Sequence, residues 1–145
     1  MDEKTHTFRY TVHGEDFLSA GEASMHAKRT LKELGYSSDL IRRVSVAMYE
    51  GEINMFIHAG GGEAKMEVGE NEITVTLIDW GAGIPDVDMA MREGYSTATA
   101  DIRSLGFGAG MGLPNMKRFA DELTVSSTVG VGTKVVMRFA IRNKE

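Results

Sequence analysis

DWGAGIPDVDMAMREGYSTATADIRSLGFGAGMGLPNMK, running from Asp79 to Lys117, decides how the rest of the chain is read. The alternating apolar residues Ile73, Val75 and Leu77 stop at Asp79, and a turn with Gly81 and Gly83 follows. Some two dozen residues later Gly106, Gly108, Gly110 and Gly112 stand at every other position, before a helical pattern resumes. Glycine lets the backbone approach a ligand closely, and successive amides can form an anion nest. Read for function, the run is a phosphate cradle backed by a helix N-terminus. Read without a ligand, it is a flexible loop. A dinucleotide-binding Rossmann fold is disfavoured, because the run follows a polar loop instead of a strand and no βαβ unit surrounds it. The residues after the glycines are Leu113 and Pro114, so a Walker lysine is missing as well.

Upstream of Asp79, Ala64, Met66 and Val68 alternate with charged neighbours, and Glu70 and Asn71 make a polar turn into the Ile73 strand, the pattern of a hairpin. Before it, Ile41, Val44, Met48 and Met55 give a core stripe for a helix. That helix is capped by Ser37 or Ser38, runs to about His58, and ends before Gly60, Gly61 and Gly62. Phe17, Ala20, Ala23, Ala27, Leu31 and Leu34 predict an earlier helix from about Glu15 to Leu34, with Gly35 as its stop. Thr7 to His13 alternates as a first strand. Downstream, Asp86 to Arg92 reads as a short helix, Gly94 to Ser104 as a lid, and Leu113 to Asp121 as a helix with Pro114 in its first turn. Strands close the chain over about Glu122 to Ser127 and Lys134 to Ile141. Hairpins dominate this order. The expected fold is α+β, a two-layer sandwich of a mixed, mostly antiparallel sheet with helices on one face, in a single domain spanning 1–145.

Composition narrows the function classes. At 145 residues the chain can bury a core without staples, and it has no cysteine, which excludes disulfides, thiolate metal sites and cysteine nucleophiles. A net charge of −5 offers no general attraction to nucleic acid or to an anionic membrane. No apolar run approaches the roughly 20 residues that cross a bilayer, and the first residues, MDEKTHTFRY, lack a signal-peptide core. The expectation is a cytoplasmic protein.

Three polar constellations carry the chemistry. Glu50, Asn54 and His58 are spaced four apart on the second helix and share a face. The stripe is either merely solvated, or it presents an amide oxygen for Mg²⁺ beside a carboxylate base; a histidine there is more often a packing or capping residue, and His58 stays outside the catalytic set. Asp79 at a strand end is placed either to accept from an exocyclic amino group such as that of adenine, or to close an Asx turn onto backbone amides two residues on. Trp80 is either a pocket wall or partly buried packing. The third constellation is the Gly106 to Gly112 run with its helix. Arg103 just before it either reaches a terminal phosphate or is solvated.

Taken together, these stretches resemble the GHKL (Bergerat-fold) ATPases, which include gyrase and the histidine kinases. The N box matches at Glu50 and Asn54, the first glycine box at Asp79 to Gly83, the second at Gly106 to Gly112, and the closing GT element at Gly132-Thr133. The phrases GAGIPD, EGYSTAT and GAGMGLPNMKRFADE look like the bacterial anti-sigma-factor and switch-protein serine kinases. The second glycine box combines the forms of both subgroups. The resemblance implies ATP as cofactor, with adenine bound by Asp79 and aided by Thr133. It further implies nucleotide contacts at Gly81, Gly83, Ile84, Gly106, Gly108, Gly110, Met111, Gly112 and Leu113. Mg²⁺ would be held through Asn54, and Glu50 would activate a serine hydroxyl or a water.

The function implied is an ATP-dependent protein serine/threonine kinase, acting as an anti-sigma or switch factor on a small STAS-type protein. A sigma factor or a regulatory phosphatase is the other class of partner, and the resemblance leaves room for a homodimer. The alternative is a nucleotide-gated binding module that sequesters a sigma factor or other partner without significant phosphotransfer. The presence of Glu50 favours turnover.

Overall fold

The computed structural model describes residues 5–13, 21–81, 83, 91 and 112–141. In chain order its elements are β1 (His6–His13), α1 (Glu22–Glu33), α2 (Ser38–Ala59), β2 (Gly61–Val68), β3 (Glu72–Asp79), α3 (Gly112–Phe119), β4 (Glu122–Thr128) and β5 (Gly132–Ala140). The strands form one sheet in the order β1-β2-β3-β5-β4. The expected mostly antiparallel sheet is found, and every pairing among the described residues is antiparallel. β5 runs between β3 and β4, so the C-terminal strand becomes interior to the sheet and brings Thr133 opposite Asp79.

The period-2 alternation sorts the sheet into two faces. Ala64, Met66, Val68, Ile73, Val75, Leu77, Val135, Met137 and Phe139 are buried in one cluster with Ala27, Leu31, Val44, Met48 and Met55 of the helices. Burying a side chain such as Phe139 or Met66 contributes roughly 1.5–3 kcal/mol, so this face supplies most of the driving force for docking the helices. The opposite face carries Lys65, Glu67, Glu72 and Arg138, joined by the ion pairs Lys65–Glu67 (3.6 Å) and Arg138–Glu72 (3.8 Å). Such exposed pairs contribute little to stability.

The helix ends follow their residues. Ser37 caps α2 by accepting from the Leu40 amide at 3.2 Å, and Gly60 in the left-handed region (φ 71) ends the same helix. Gly61 and Gly62, expected to belong to that stop, already lie in β2. Helix α1 is described from Glu22, with Phe17 and Ala20 of the expected stripe outside the described residues. Its N-terminus has no side-chain cap of its own. A residue from α2 does that work instead: Glu52, only 1% exposed, accepts from the amides of Gly21 (2.9 Å), Ala23 (3.0 Å) and Ser24 (3.0 Å). A buried carboxylate held by three N–H donors at the positive end of a helix is fully compensated, and it pins α1 to α2.

At the other end of α2, Arg43 donates to the Phe119 carbonyl at the close of α3 (3.4 Å) and pairs with Asp39 (3.2 Å) and Asp121 (3.5 Å). Asp121 in turn accepts from the Ala140 amide of β5 at 2.7 Å. Helix α2 is therefore the element to which α1, α3 and the sheet are all fastened.

Candidate nucleotide site

The site begins where β3 ends. Asp79 stands opposite Thr133 in the β3–β5 ladder, and its Oδ1 accepts from two backbone amides, Gly81 at 3.0 Å and Thr133 at 3.2 Å. The bond to Gly81 is the Asx turn considered from the sequence. The bond to Thr133 is a tertiary contact that no local reading contains. Both fall on one oxygen, and among the described residues Oδ2 carries no hydrogen bond. Asp79 is thus aligned by its own backbone while an acceptor oxygen stays available. Turn and binding roles, opposed in the sequence reading, are compatible.

The Thr133 hydroxyl is oriented as well. Ser127, its partner in the β4–β5 register, donates from Oγ to the Gly132 carbonyl at 3.2 Å and lies 2.8 Å from Thr133 Oγ1. Either hydroxyl can donate in that contact, and in both cases Thr133 Oγ1 keeps at least one lone pair as an acceptor. Asp79 and Thr133 therefore both present acceptors, which suits a donor such as an exocyclic amino group.

Close backbone approach shapes the surroundings. A Cβ on Gly132 (φ 148) would overlap the Asp79 carbonyl and come 2.9 Å from Trp80 Cα, so only glycine lets β5 pass beside Asp79. Gly83 (φ 84) faces the Thr128 carbonyl and Val129 at equally short range, which fastens the first glycine turn to the β4–β5 hairpin. Trp80 is 64% exposed, so it is not the partly buried packing residue that was the commoner expectation.

Helix α2 brings the second group. Gly51 sits where α2 lies closest to β3 and α3: a Cβ there would overlap Leu77 Cδ1 and meet Met116 Sδ at 3.4 Å. That contact places the turn of α2 bearing Glu50 over the end of β3, between the sheet and α3. Glu50 and Asn54 are both half-buried. Burial pushes the Glu50 carboxyl above the usual glutamate range, and a side-chain hydrogen bond from Asn115 of α3 opposes the rise. The neighbouring Tyr49 hydroxyl is raised by burial first and then by the negative charges of Glu50 and Glu52.

The structure joins Asp79, Gly81 and Thr133 directly, sets Gly83 against Thr128 and Val129, and packs Gly51, next to Glu50, against Met116 of α3, the helix that opens at Gly112. The two groups are linked through the Gly51–Leu77 packing, not by a hydrogen bond among the described residues. Leu113, an expected nucleotide contact, is 6% exposed and belongs to the core cluster, so its side chain serves packing under the helix start. Ile84, Gly106, Gly108, Gly110, Met111, Arg103, the lid over 94–104 and the short helix over 86–92 apart from Met91 lie outside the described residues, as does the His58 side chain. Among the described residues no cluster of three or more His, Cys, Asp or Glu could hold a metal ion. Asn115 and Glu52 were missed by the sequence reading. The first lay beyond the glycine box, and the second differs from its neighbours only in what it meets after folding.

Comparison with known proteins gives this arrangement its place. The model of the histidine kinase-like ATPase domain matches residues 18–139. The chain belongs to the histidine kinase-like ATPase family. Within the family it is 32% identical over 112 residues to the serine/threonine-protein kinase RsbT of Bacillus subtilis, covering 74% of this chain and 78% of that one. It is 33% identical over 138 residues to the anti-sigma F factor of Caldanaerobacter subterraneus subsp. tengcongensis, covering 88% and 93%. The mycobacterial sensor histidine kinase MprB shares the fold at a TM-score of 0.54 and 14% identity, over 96% of this chain and 100% of that structure. A protein named as a serine/threonine kinase and one named as an anti-sigma factor thus both occur among its relatives.

Proposed function

We propose that this ATPase-family chain is a protein serine/threonine kinase of the partner-switching kind, using Mg-ATP to phosphorylate a small STAS-type regulatory protein in the cytoplasm. The observation that carries the reading is Glu50, a half-buried carboxyl that burial pushes above the usual glutamate range, beside the Gly51–Met116 contact with the helix that opens at Gly112. On this reading Glu50 is a base beside the helix N-terminus, which suits phosphate oxygens. Relatives named as a serine/threonine kinase and as anti-sigma factors support the reading.

Each residue then has a role. Asp79 Oδ2 and Thr133 Oγ1 accept from the adenine edge, with Gly81 and Gly83 beside it and Ile84 as a further nucleotide contact. The amides from Gly106 to Gly112 hold the phosphate chain. Asn54 offers one hard oxygen, the donor type Mg²⁺ takes, and a single protein ligand suits an ion that completes its shell with phosphate oxygens and water. When bound, the ion supplies charge neutralisation at the transferred phosphoryl group. Glu50 accepts the serine hydroxyl proton as the serine oxygen bonds to the γ-phosphorus, the bond to the β,γ-bridging oxygen breaks, and ADP leaves. Catalysis is chiefly positioning and electrostatics. The single domain spans 1–145, and a sigma factor or regulatory phosphatase is the second class of partner.

Incubation with labelled Mg-ATP and STAS proteins should move the label to a serine of one of them. No transfer, with nucleotide-dependent complex formation intact, would instead establish a nucleotide-gated binding module. The adenine assignment has its own test. Asp79→Asn keeps the size but leaves only one acceptor oxygen, which the Gly81 and Thr133 amides already occupy, and turns NH₂ toward the ligand. ATP affinity should fall about 10- to 100-fold, the loss expected for one charge-assisted hydrogen bond. Unchanged affinity by calorimetry would remove Asp79 from the adenine site.

A further inference from the structure

The buried face of the sheet ends in a polar row. Ladder pairing sets Leu77, Val135 and Val125 side by side across β3, β5 and β4, and the next positions on that face are Asp79, Thr133 and Ser127. Thr133 is held from both flanks. Its amide donates to Asp79 Oδ1 at 3.2 Å on the β3 side. On the β4 side Ser127 Oγ lies 2.8 Å from its hydroxyl oxygen and reaches the carbonyl of the preceding Gly132 at 3.2 Å. A threonine needs such a partner to be oriented. Its hydroxyl and methyl groups are close in size, so rotation between staggered χ1 wells exchanges them with little change in packing, and shape alone does not decide which stands where. The bond to Ser127 decides it, whichever of the two oxygens donates.

We propose that Ser127 is a positioning residue for base recognition: its hydroxyl selects the Thr133 rotamer that keeps an oxygen, not a methyl group, in the polar row with Asp79. The inference rests on the adenine role given to Asp79 and Thr133 above. An exocyclic amine carries two N–H groups, and the row offers an acceptor for each, Asp79 Oδ2 and Thr133 Oγ1. The β4 strand thereby contributes to the choice of base through a residue whose bonds on the page are to β5 alone.

The test is nucleotide binding by calorimetry on the intact chain. Ser127→Ala should weaken ATP about 3- to 10-fold, the effect of one neutral hydrogen bond. In a Thr133→Ala background the same change should have no further effect, because the hydroxyl it orients is gone. Ser127→Thr, which keeps the oxygen and suits a strand, should recover most of the affinity. Ser126→Ala, at an exposed position on the opposite face of the same strand, should lose none. Purine riboside triphosphate, which lacks the exocyclic amine, separates positioning from a general loosening of the site: Ser127→Ala should leave its affinity within about twofold. Full ATP affinity in Ser127→Ala, losses that multiply in the double variant, or an equal loss with the amine-free nucleotide would each overturn the proposal.

A second readout needs no nucleotide. Three-bond NMR couplings to Thr133 Cγ2 report its χ1, and they should show one rotamer in the unaltered chain and an average in Ser127→Ala. A rotamer that the substitution leaves unchanged sinks the positioning role. Unchanged ATP affinity in Asp79→Asn sinks the adenine reading instead, and the couplings still decide whether Ser127 orients Thr133.

Discussion

Glu50→Ala loses phosphotransfer by a factor of about 10²–10⁴, the usual contribution of a positioned general base, while binding nucleotide as the unaltered chain does. The separation of effects follows from where the side chain stands. Glu50 stands on the α2–α3 side, next to the Gly51–Met116 contact, whereas Gly81 and Thr133 are both bonded to Asp79 at the end of β3. Calorimetry should report an ATP affinity close to that of the unaltered protein, and single-turnover label transfer should report the loss. Equal turnover would exclude Glu50 from the mechanism. The pH profile adds a signature. A base must be ionised, and burial raises this carboxyl, so transfer should fall on acidification through a pKa above that of an ordinary glutamate. The native state binds that proton more tightly than the unfolded chain does, so the same acidification does not destabilise the fold through this group. Loss of rate without loss of structure is the expected pattern.

The second large effect concerns stability. Glu52→Ala removes the acceptor of three amides at the start of α1, two of them in bonds that are fully buried, and leaves a void in its place. Each unsatisfied buried donor costs about 1–3 kcal/mol, so the variant should lose about 3–5 kcal/mol in urea unfolding. For a chain of this length that is a fall in Tm of roughly 10 °C. Glu52→Gln retains one acceptor oxygen but not the charge, and should lie between the two. A Glu52→Ala protein as stable as the original would mean that α1 finds another cap. Glu50 and Glu52 are two positions apart on one helix, yet one variant should lose rate and the other structure. The cause is the helical period, which sends one carboxyl toward α3 and the other under α1.

Much of the fold was legible because it rests on periodicity. Alternation at Phe8 to Val12, Ala64 to Val68 and Ile73 to Leu77 marks strands that the structure contains. The stripe Ile41, Val44, Met48, Met55 marks α2, and Ser37 and Gly60 mark its ends. The candidate site was legible in part for a different reason. Glycines at Gly81, Gly83 and Gly132 and the pair Glu50 and Asn54 stand at spacings that ordinary packing does not require. Boundaries drifted where pairing partners were unknown. β5 begins at Gly132 and not Lys134, because Gly132 and Thr133 pair with Thr128 and Asp79 across two other strands.

What the sequence determined by itself was the set of elements, the apolar faces and the presence of acceptors and glycines in a nucleotide-binding order, since these follow from side-chain period and backbone freedom along a local run. What only the tertiary structure decided was direction. It aligned one oxygen of Asp79 on Thr133, buried Glu52 as the cap of a distant helix, exposed Trp80, packed Leu113 inward, and set Gly51 beside Glu50 against Met116 of α3. Each of these joins groups far apart in the chain. They exist only once the strands are paired and the helices packed on them, and no local pattern of residues encodes them.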